Sequence, residues 1–379
     1  MKICAIIAEY NPLHNGHIYQ IKKAKEIADA IIIILSGHTT QRGEFSIFNK
    51  WTRAKTALLA SANLVLELPT IFSSSSAERF ATAAIKIIKE LNCVDILSFG
   101  SETTDIEKLK ELAIICKEID KTQKMKELLK KGYSYPKART LAIKDKENIL
   151  NLPNNLLAVE YIKAALKLNC NLFFQAVQRI GAKHDETKKE EKFTSSLYLR
   201  KNIKNEQILK KYIPENFMKF YKDPILIPEN FIFNSLRTAT KETFKNIQDA
   251  TEGLHNRLYS ASKKATSLEE FFKLVKTKRY TLSRLKRIVL SCFLGINKKN
   301  IPPLPQYSCV LGFDSIGQQI LNKIKKNENF LFSTNFSKIY KNFPYSASID
   351  SKATDFIFLF EKEIKPCNLN FKIKPIIIK

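Results

Sequence analysis

Ile3-Cys-Ala-Ile-Ile-Ala8, running directly into Glu9-Tyr-Asn-Pro-Leu-His-Asn-Gly-His17, is the stretch that decides the fold. Its first part is a continuous apolar run, the pattern of a strand covered on both faces. Its second part turns polar, and from Ile18 to Ala28 the spacing is helical. The same alternation repeats outward from there. Ala30-Ile-Ile-Ile-Ile-Leu35 reads as a second strand, Trp51 to Ser61 as a helix, and Leu64-Val-Leu-Glu-Leu68 as a third strand stopped by Pro69. Ala77 to Leu91 reads as a helix, and Asp95-Ile-Leu-Ser-Phe99 as a fourth strand closed by Gly100. Strands interleaved with helices of this length predict an α/β protein with a doubly wound parallel sheet. Ligands of such sheets sit at the carboxyl ends of the strands, and the polar motifs fall there: after Ala8, after Leu35 and after Phe99.

His14-Asn-Gly-His17 carries the chemistry, because it follows a buried strand and opens a helix. A helix start offers unpaired N–H groups and a positive dipole end to an anion. Gly16 lets a phosphate approach the backbone. Two imidazoles three residues apart lie on one side of the first turn and reach the same phosphate group. They suit stabilisation of charge on α- and β-phosphates as pyrophosphate leaves. A zinc reading lacks Cys or carboxylate partners at ligand spacing, so no metal site is assigned.

Further along, the pattern from Ile106 to about Leu168 is helical, punctuated by Pro136 and Pro153, and Leu172 to Gln178 reads as a fifth strand. His184 to Phe193 reads as a mobile surface loop. Pro214, Pro224 and Pro228 mark a crossover into a basic, mainly helical stretch from Leu236 to Leu294, where Arg279, Arg284, Lys286 and Arg287 cluster. That cluster reads either as an ordinary amphipathic helix or as a face that tracks phosphates. Pro302 to Pro305 breaks the chain before a C-terminal stretch with no legible motif.

The whole chain has 379 residues, with 63 Lys+Arg against 37 Asp+Glu, a net charge of +26. A surface that basic attracts polyanions, with nucleic acid the first candidate. The competing reading is a compositional bias, since Lys, Ile and Asn abound while Gly numbers only 10. The seven cysteines are scattered without ligand-like spacing, as in a reduced, cytoplasmic protein. No apolar run approaches the ~18 residues of a membrane span, and no signal peptide is recognisable.

His14-Asn-Gly-His17 resembles the HxGH signature of nucleotidyltransferases. The longer string Glu9 to His17 resembles, more narrowly, the tRNA(Met) cytidine acetate ligase family. So do Ser36-Gly-His-Thr-Thr-Gln-Arg-Gly-Glu44, Asn49-Lys-Trp51, Leu64 to Pro69 and Phe99-Gly-Ser-Glu102. The likeness continues through Pro153-Asn-Asn-Leu-Leu157, Glu160-Tyr161, Gln178-Arg-Ile-Gly-Ala182 with Asp185, and Arg284-Leu-Lys-Arg-Ile288. It implies a Rossmann-like nucleotidyltransferase fold with a mainly helical basic C-terminal half. It also implies a ligase that activates acetate with ATP as acetyl-adenylate. The acetyl group then passes to N4 of the wobble cytidine of elongator tRNA(Met), giving N4-acetylcytidine. The implied partners are acetate and tRNA, with ATP as substrate and Mg²⁺ beside it.

The resemblance places catalysis at His14 and His17. It places ATP on Ile7, Ala8, Glu9, Tyr10, Asn11, Pro12, Leu13, His14, Asn15, Gly16, His17, Ile18, Tyr19 and Gln20, then on Gly100, Asn154, Asn155 and Arg179. An Asn there can pair with the adenine edge and Arg179 can clamp phosphate. Gly100 reads equally as a turn glycine, Asn155 as a helix cap and Arg179 as a surface ion pair. Ser195, Ser196 and Arg200 form a candidate second phosphate element, or an ordinary helix cap. Arg42 and Lys50 are candidates for steadying acetate or the adenylate, and Glu67 or Glu102 for meeting Mg²⁺. The expected division is residues 1–210 for ATP binding, 230–300 as a basic helical tRNA-binding region and 301–379 as a small α/β lobe. A small-molecule nucleotidyltransferase that makes a cofactor precursor shares the HxGH chemistry. The basic helical half argues against it, and the intact histidines argue against a non-catalytic RNA binder.

Overall fold

Strands β1 (Ile3–Ala8), β2 (Ala30–Ser36), β3 (Leu64–Leu68), β4 (Ile96–Ser101) and β5 (Phe173–Gln178) lie in the order β5-β4-β1-β2-β3. Every neighbouring pair among them is parallel. The chain builds outward from β1 to β3, then returns to β1's other side with β4. That reversal leaves a crevice at the carboxyl ends of β1 and β4. The computed structural model describes residues 1–143, 147–179, 193–324 and 330–379. The loop expected from His184 lies outside the described residues up to its last member, Phe193.

Side-chain alternation along β1 shows why the sheet is covered twice. Ile3 and Ala5 enter one core, with Phe80, Ile85 and Ile88 of the helix Ala77–Leu91 and Ala158 and Ile162 of the helix Pro153–Leu168. Cys4 and Ile6 enter the opposite core, with Ile21 and Ala24 of the helix Asn15–Lys25 and Ala54 and Ala57 of the helix Lys50–Leu59. A strand buried on both faces has no polar positions to spare, hence the unbroken apolar run.

One expectation is corrected. β4 runs on through Gly100 to Ser101, so Gly100 sits within the strand end and does not close it. The sheet also continues beyond β3: β6 (Tyr307–Phe313) pairs antiparallel with β3, and β7 (Leu331–Ser333) and β8 (Ile376–Ile377) pair with β6. Residues after Pro305 therefore extend the shared sheet. The physical reason is the edge of β3, whose apolar residues and open backbone groups need a partner strand. The helical stretch does hold a core of its own, around Leu236, Phe244, Leu258, Phe271 and Ile288. Among the cysteines, Cys4, Cys116, Cys292 and Cys309 are buried, whereas Cys367 is exposed.

Candidate active site

His14 is the cap of the helix Asn15–Lys25, and its imidazole does what a Ser or Asp side chain usually does. Its Nδ1 accepts from the Gly16 N–H at 3.1 Å, while its own N–H donates to Nδ1 of His17 at 3.3 Å. The two residues thus form a reciprocal capping box built from imidazoles. A ring nitrogen that accepts carries no proton, so each neutral ring must carry its hydrogen on Nε2. The rings stack with centroids 3.9 Å apart. Burial, then the charge of Arg179, pushes the His14 pKa down to about 3. Burial, then His14 and Arg179, pushes His17 well down too. Both histidines are neutral near pH 7 and offer Nε2–H donors. His14 Nε2 lies 3.1 Å from Ser196 Oγ. A side chain on residue 16 would put its Cβ 3.0 Å from His14 Cε1, which accounts for the glycine.

Arg53, which the sequence reading missed, holds the strand ends. Its fully buried guanidinium donates to the carbonyls of Glu9 (2.7 Å), Ser36 (3.0 Å), Phe48 (3.0 Å) and Gly37. One cation thus ties the exits of β1 and β2 together. Burial lowers its pKa to about 10, and it remains charged. The only signal in the sequence is an arginine among the small and apolar residues of the helix Lys50–Leu59. The exit of β1 also holds Tyr10 at φ +46° and a cis Asn11–Pro12 bond.

These elements border a cavity of about 290 Å³. It gathers most of the expected residues: Ile7, Ala8, Glu9, Tyr10, Asn11, His14, Gly16, His17, Tyr19, Gln20, Arg42, Gly100, Asn154, Arg179, Ser195, Ser196 and Arg200. Phe80, Phe99, Leu157 and Tyr161 add aromatic and apolar lining that the sequence reading did not assign. Arg200 donates to the Asn11 carbonyl at 3.0 Å. Ser195 Oγ accepts from Tyr198 N, so it caps the helix Ser196–Lys201 while lining the cavity.

Six expected residues are not among those lining the cavity. Leu13 and Pro12 are buried, and Ile18 packs into the core beneath. Asn15 reaches the Lys211 carbonyl at 3.5 Å. Asn155 is fully buried, and its Oδ1 accepts from Ser101 Oγ (2.6 Å) and from the N–H groups of Glu102 and Thr103 (both 3.0 Å). It shapes the turn after β4, and Asn154 is the member of the pair that faces the cavity. Glu102 accepts from the Asn154 side chain and the Asn155 N–H, so it is a cap of that helix. Lys50 is buried, with Nζ 2.8 and 2.7 Å from the two carboxylate oxygens of Glu67. Neither is therefore placed beside acetate or phosphate.

The basic cluster is also engaged internally. Arg284 donates to the Asp249 carbonyl at 3.0 and 2.6 Å, and Arg279 pairs with Glu252 at 2.9 Å. Lys286 pairs with Glu44, and Arg287 reaches the Gln41 carbonyl at 3.4 Å. Gly43, at φ +80°, lies so close that a Cβ would fall 2.4 Å from the Arg287 backbone nitrogen. Gln41-Arg-Gly-Glu44 is therefore the seat on which the helical unit docks, directly at the cavity rim.

A neutral pair of HxGH imidazoles at a helix start, on the crevice of a doubly wound sheet, defines the HIGH nucleotidyl transferase class, and that family's model matches residues 1–370. The chain belongs, within it, to the tRNA(Met) cytidine acetate ligase family. The member from Caldicellulosiruptor saccharolyticus is 39% identical over 398 residues, covering 100% of this chain and 99% of that one. The member from Clostridium novyi is 35% identical over 404 residues, with 100% of each chain covered. The fold agrees with solved structures of Thermotoga maritima TmcAL. An apo form gives a TM-score of 0.92 at 30% identity, and a form bound with alpha-thio ATP gives 0.90 at 29%, each covering 100% of both chains.

Proposed function

We propose that the chain activates acetate with ATP and transfers the acetyl group to N4 of the wobble cytidine of elongator tRNA(Met), in the cytoplasm. The observation that carries the reading is the pair of neutral imidazoles of His14 and His17, fixed by their own helix cap in the lining of the cavity. An acetate oxygen attacks the α-phosphorus, a P–O bond to pyrophosphate breaks, and acetyl-adenylate forms. Donors fixed in advance cost no reorganisation as charge moves onto the departing phosphates. Because both rings are neutral donors, their role is electrostatic, with no proton transfer required. Arg179 and Arg200 add positive charge on the same wall, Arg42 borders it, and Asn154 offers an amide to the adenine edge.

Among the described residues nothing marks a resident site for Mg²⁺: no group of three His, Cys, Asp or Glu converges. Glu67 and Glu102 are committed to Lys50 and to the turn after β4. The ion therefore belongs with the phosphates of ATP, and no step is assigned to it. No helix among the described residues is long and apolar enough to cross a membrane.

The test is acetate-dependent pyrophosphate release, followed by nucleoside analysis of tRNA(Met) after incubation with labelled acetate. Acetate that fails to stimulate release, or label that never reaches the wobble base, rules the reading out. Replacing His17 by Ala should lower kcat by about 100- to 1000-fold, the usual cost of one oxyanion donor.

A further inference from the structure

The cavity is built for anions, yet carboxylates are among its lining. Two helix-cap imidazoles, Arg42, Arg179 and Arg200 suit ATP phosphates and acetate. Of the two acidic residues on the wall, Glu44 pairs with Lys286 and lies 3.9 Å from Arg200, at the rim where the helical unit docks. Glu9, the other, follows β1 directly. Its Oε1 accepts from the Gln41 N–H at 2.7 Å, and its carbonyl is held by Arg53. Its charge is felt by the phenol of Tyr161, whose pKa burial and Glu9 together raise. Glu9 lines the same cavity as Phe80, Phe99 and Tyr161.

A carboxylate repels phosphate and acetate, so it is there for a substrate group that donates hydrogen bonds. Under the function proposed above, on which this step rests, that group is the exocyclic amine of cytosine. A carboxylate is the acceptor that amine prefers, and aromatic side chains are the surface on which an extruded base stacks. We propose that Glu9 binds N4–H of the wobble cytidine and takes its proton during acetyl transfer, with Phe80 and Tyr161 flanking the base. N4 attacks the carbonyl carbon of acetyl-adenylate and a C–N bond forms. The C–O bond to the phosphate breaks and AMP leaves, while the N4 proton moves to the Glu9 carboxylate. The charges that act on Glu9 are those of Arg200, Arg42 and Arg53, and its own charge acts on the neutral Tyr161.

The experiment compares two half-reactions in the full chain and in Glu9→Gln. One is acetate-dependent exchange of labelled pyrophosphate into ATP; the other is acetyl transfer to tRNA(Met). The ratio of transfer to exchange should fall on the order of 100-fold in Glu9→Gln, the lower range for a lost general base. A fall of both rates by one common factor overturns the proposal, because Glu9 would then serve ATP or its ribose. An unchanged ratio overturns it as well. Absence of exchange in the unaltered protein is a different failure: it removes the acetate ligase reading itself, and this proposal with it. A second measurement uses binding and does not depend on the variant folding. A tRNA(Met) transcript with uridine at the wobble position presents a carbonyl where cytidine presents an amine. It should compete at least about 10-fold worse than the cytidine transcript for the unaltered protein, the scale of one base-edge contact. Where Glu9→Gln folds, its amide can donate to that carbonyl, and the gap should close. Equal competition by the two transcripts for the unaltered protein overturns the proposal.

Discussion

His14 and His17 trade proton affinity for orientation, and that trade has a measurable consequence for stability. The folded protein holds His14 neutral down to about pH 3, whereas an unfolded chain protonates it near 6.5. Between these values the unfolded state binds the extra proton, so acid favours unfolding. Stability from this group is present above about pH 6.5 and is lost as pH falls toward 3, at up to ~1.4 kcal/mol per pH unit. His17 and the buried His38 are shifted in the same direction and steepen the slope. Urea unfolding near pH 7 and near pH 5.5 should show the loss, and His14→Gln should be less sensitive to acid by about 1 kcal/mol over that interval. An identical slope in the variant contradicts the assignment. The motif itself was legible in the sequence because an imidazole pair after a buried strand has few other uses. The tautomer was not, since it depends on which N–H each Nδ1 meets in three dimensions. Arg53 was invisible for a similar reason: its partners are all carbonyls, and carbonyls leave no mark on a sequence.

Elements meet at two places where a single substitution tests the architecture. The first is the Gln41–Glu44 turn beneath the helix Leu282–Leu294. Gly43→Ala puts a methyl into the backbone of Lys286 and Arg287 at a positive φ. A cost of about 2 kcal/mol or more is expected, from conformational strain and the lost close approach. It should appear as a lowered Tm together with faster proteolysis between residues 230 and 300. The second is the buried Lys50–Glu67 pair beside Asp350, which accepts from the Tyr307 hydroxyl and from the Thr70 N–H. Burial holds the Glu67 carboxyl up, to about 7, against the pull of Lys50. Lys50→Met leaves Glu67 and Asp350 buried without their cation, and a loss of about 3–5 kcal/mol in unfolding free energy is expected. A loss under ~1 kcal/mol would return Lys50 to the list of substrate contacts. The sequence favoured a substrate role because Lys50 follows the Gln41-Arg-Gly-Glu44 motif. What decided otherwise was β6, which covers the edge of β3 and closes water off from this pair. That antiparallel strand, separated from β3 by more than half the chain, carries no local signal of its destination.

At the scale of the whole molecule the open question is what the charge of +26 is for. Compositional bias and a polyanionic partner both explain an excess of Lys and Arg. Within the basic cluster, Arg279 and Arg284 bond to Glu252 and to the Asp249 carbonyl, while Lys286 and Arg287 reach Glu44 and the Gln41 carbonyl at the cavity rim. A tRNA face competes with counterions in a way that compositional bias alone does not. Binding that neutralises several phosphates weakens steeply with salt, by about 10³ to 10⁵ between 50 and 200 mM for six to ten contacts. For this chain the affinity for tRNA(Met) should fall at least about tenfold over that range. Acetate-dependent pyrophosphate exchange, which under the proposed function needs no tRNA, should change by no more than a few-fold over the same range. A tRNA affinity that is flat in salt would mean that the basic surface is compositional and that the RNA is held by the cavity alone. A steep slope in affinity beside a shallow one in exchange assigns the charge to RNA and leaves the cavity its separate task.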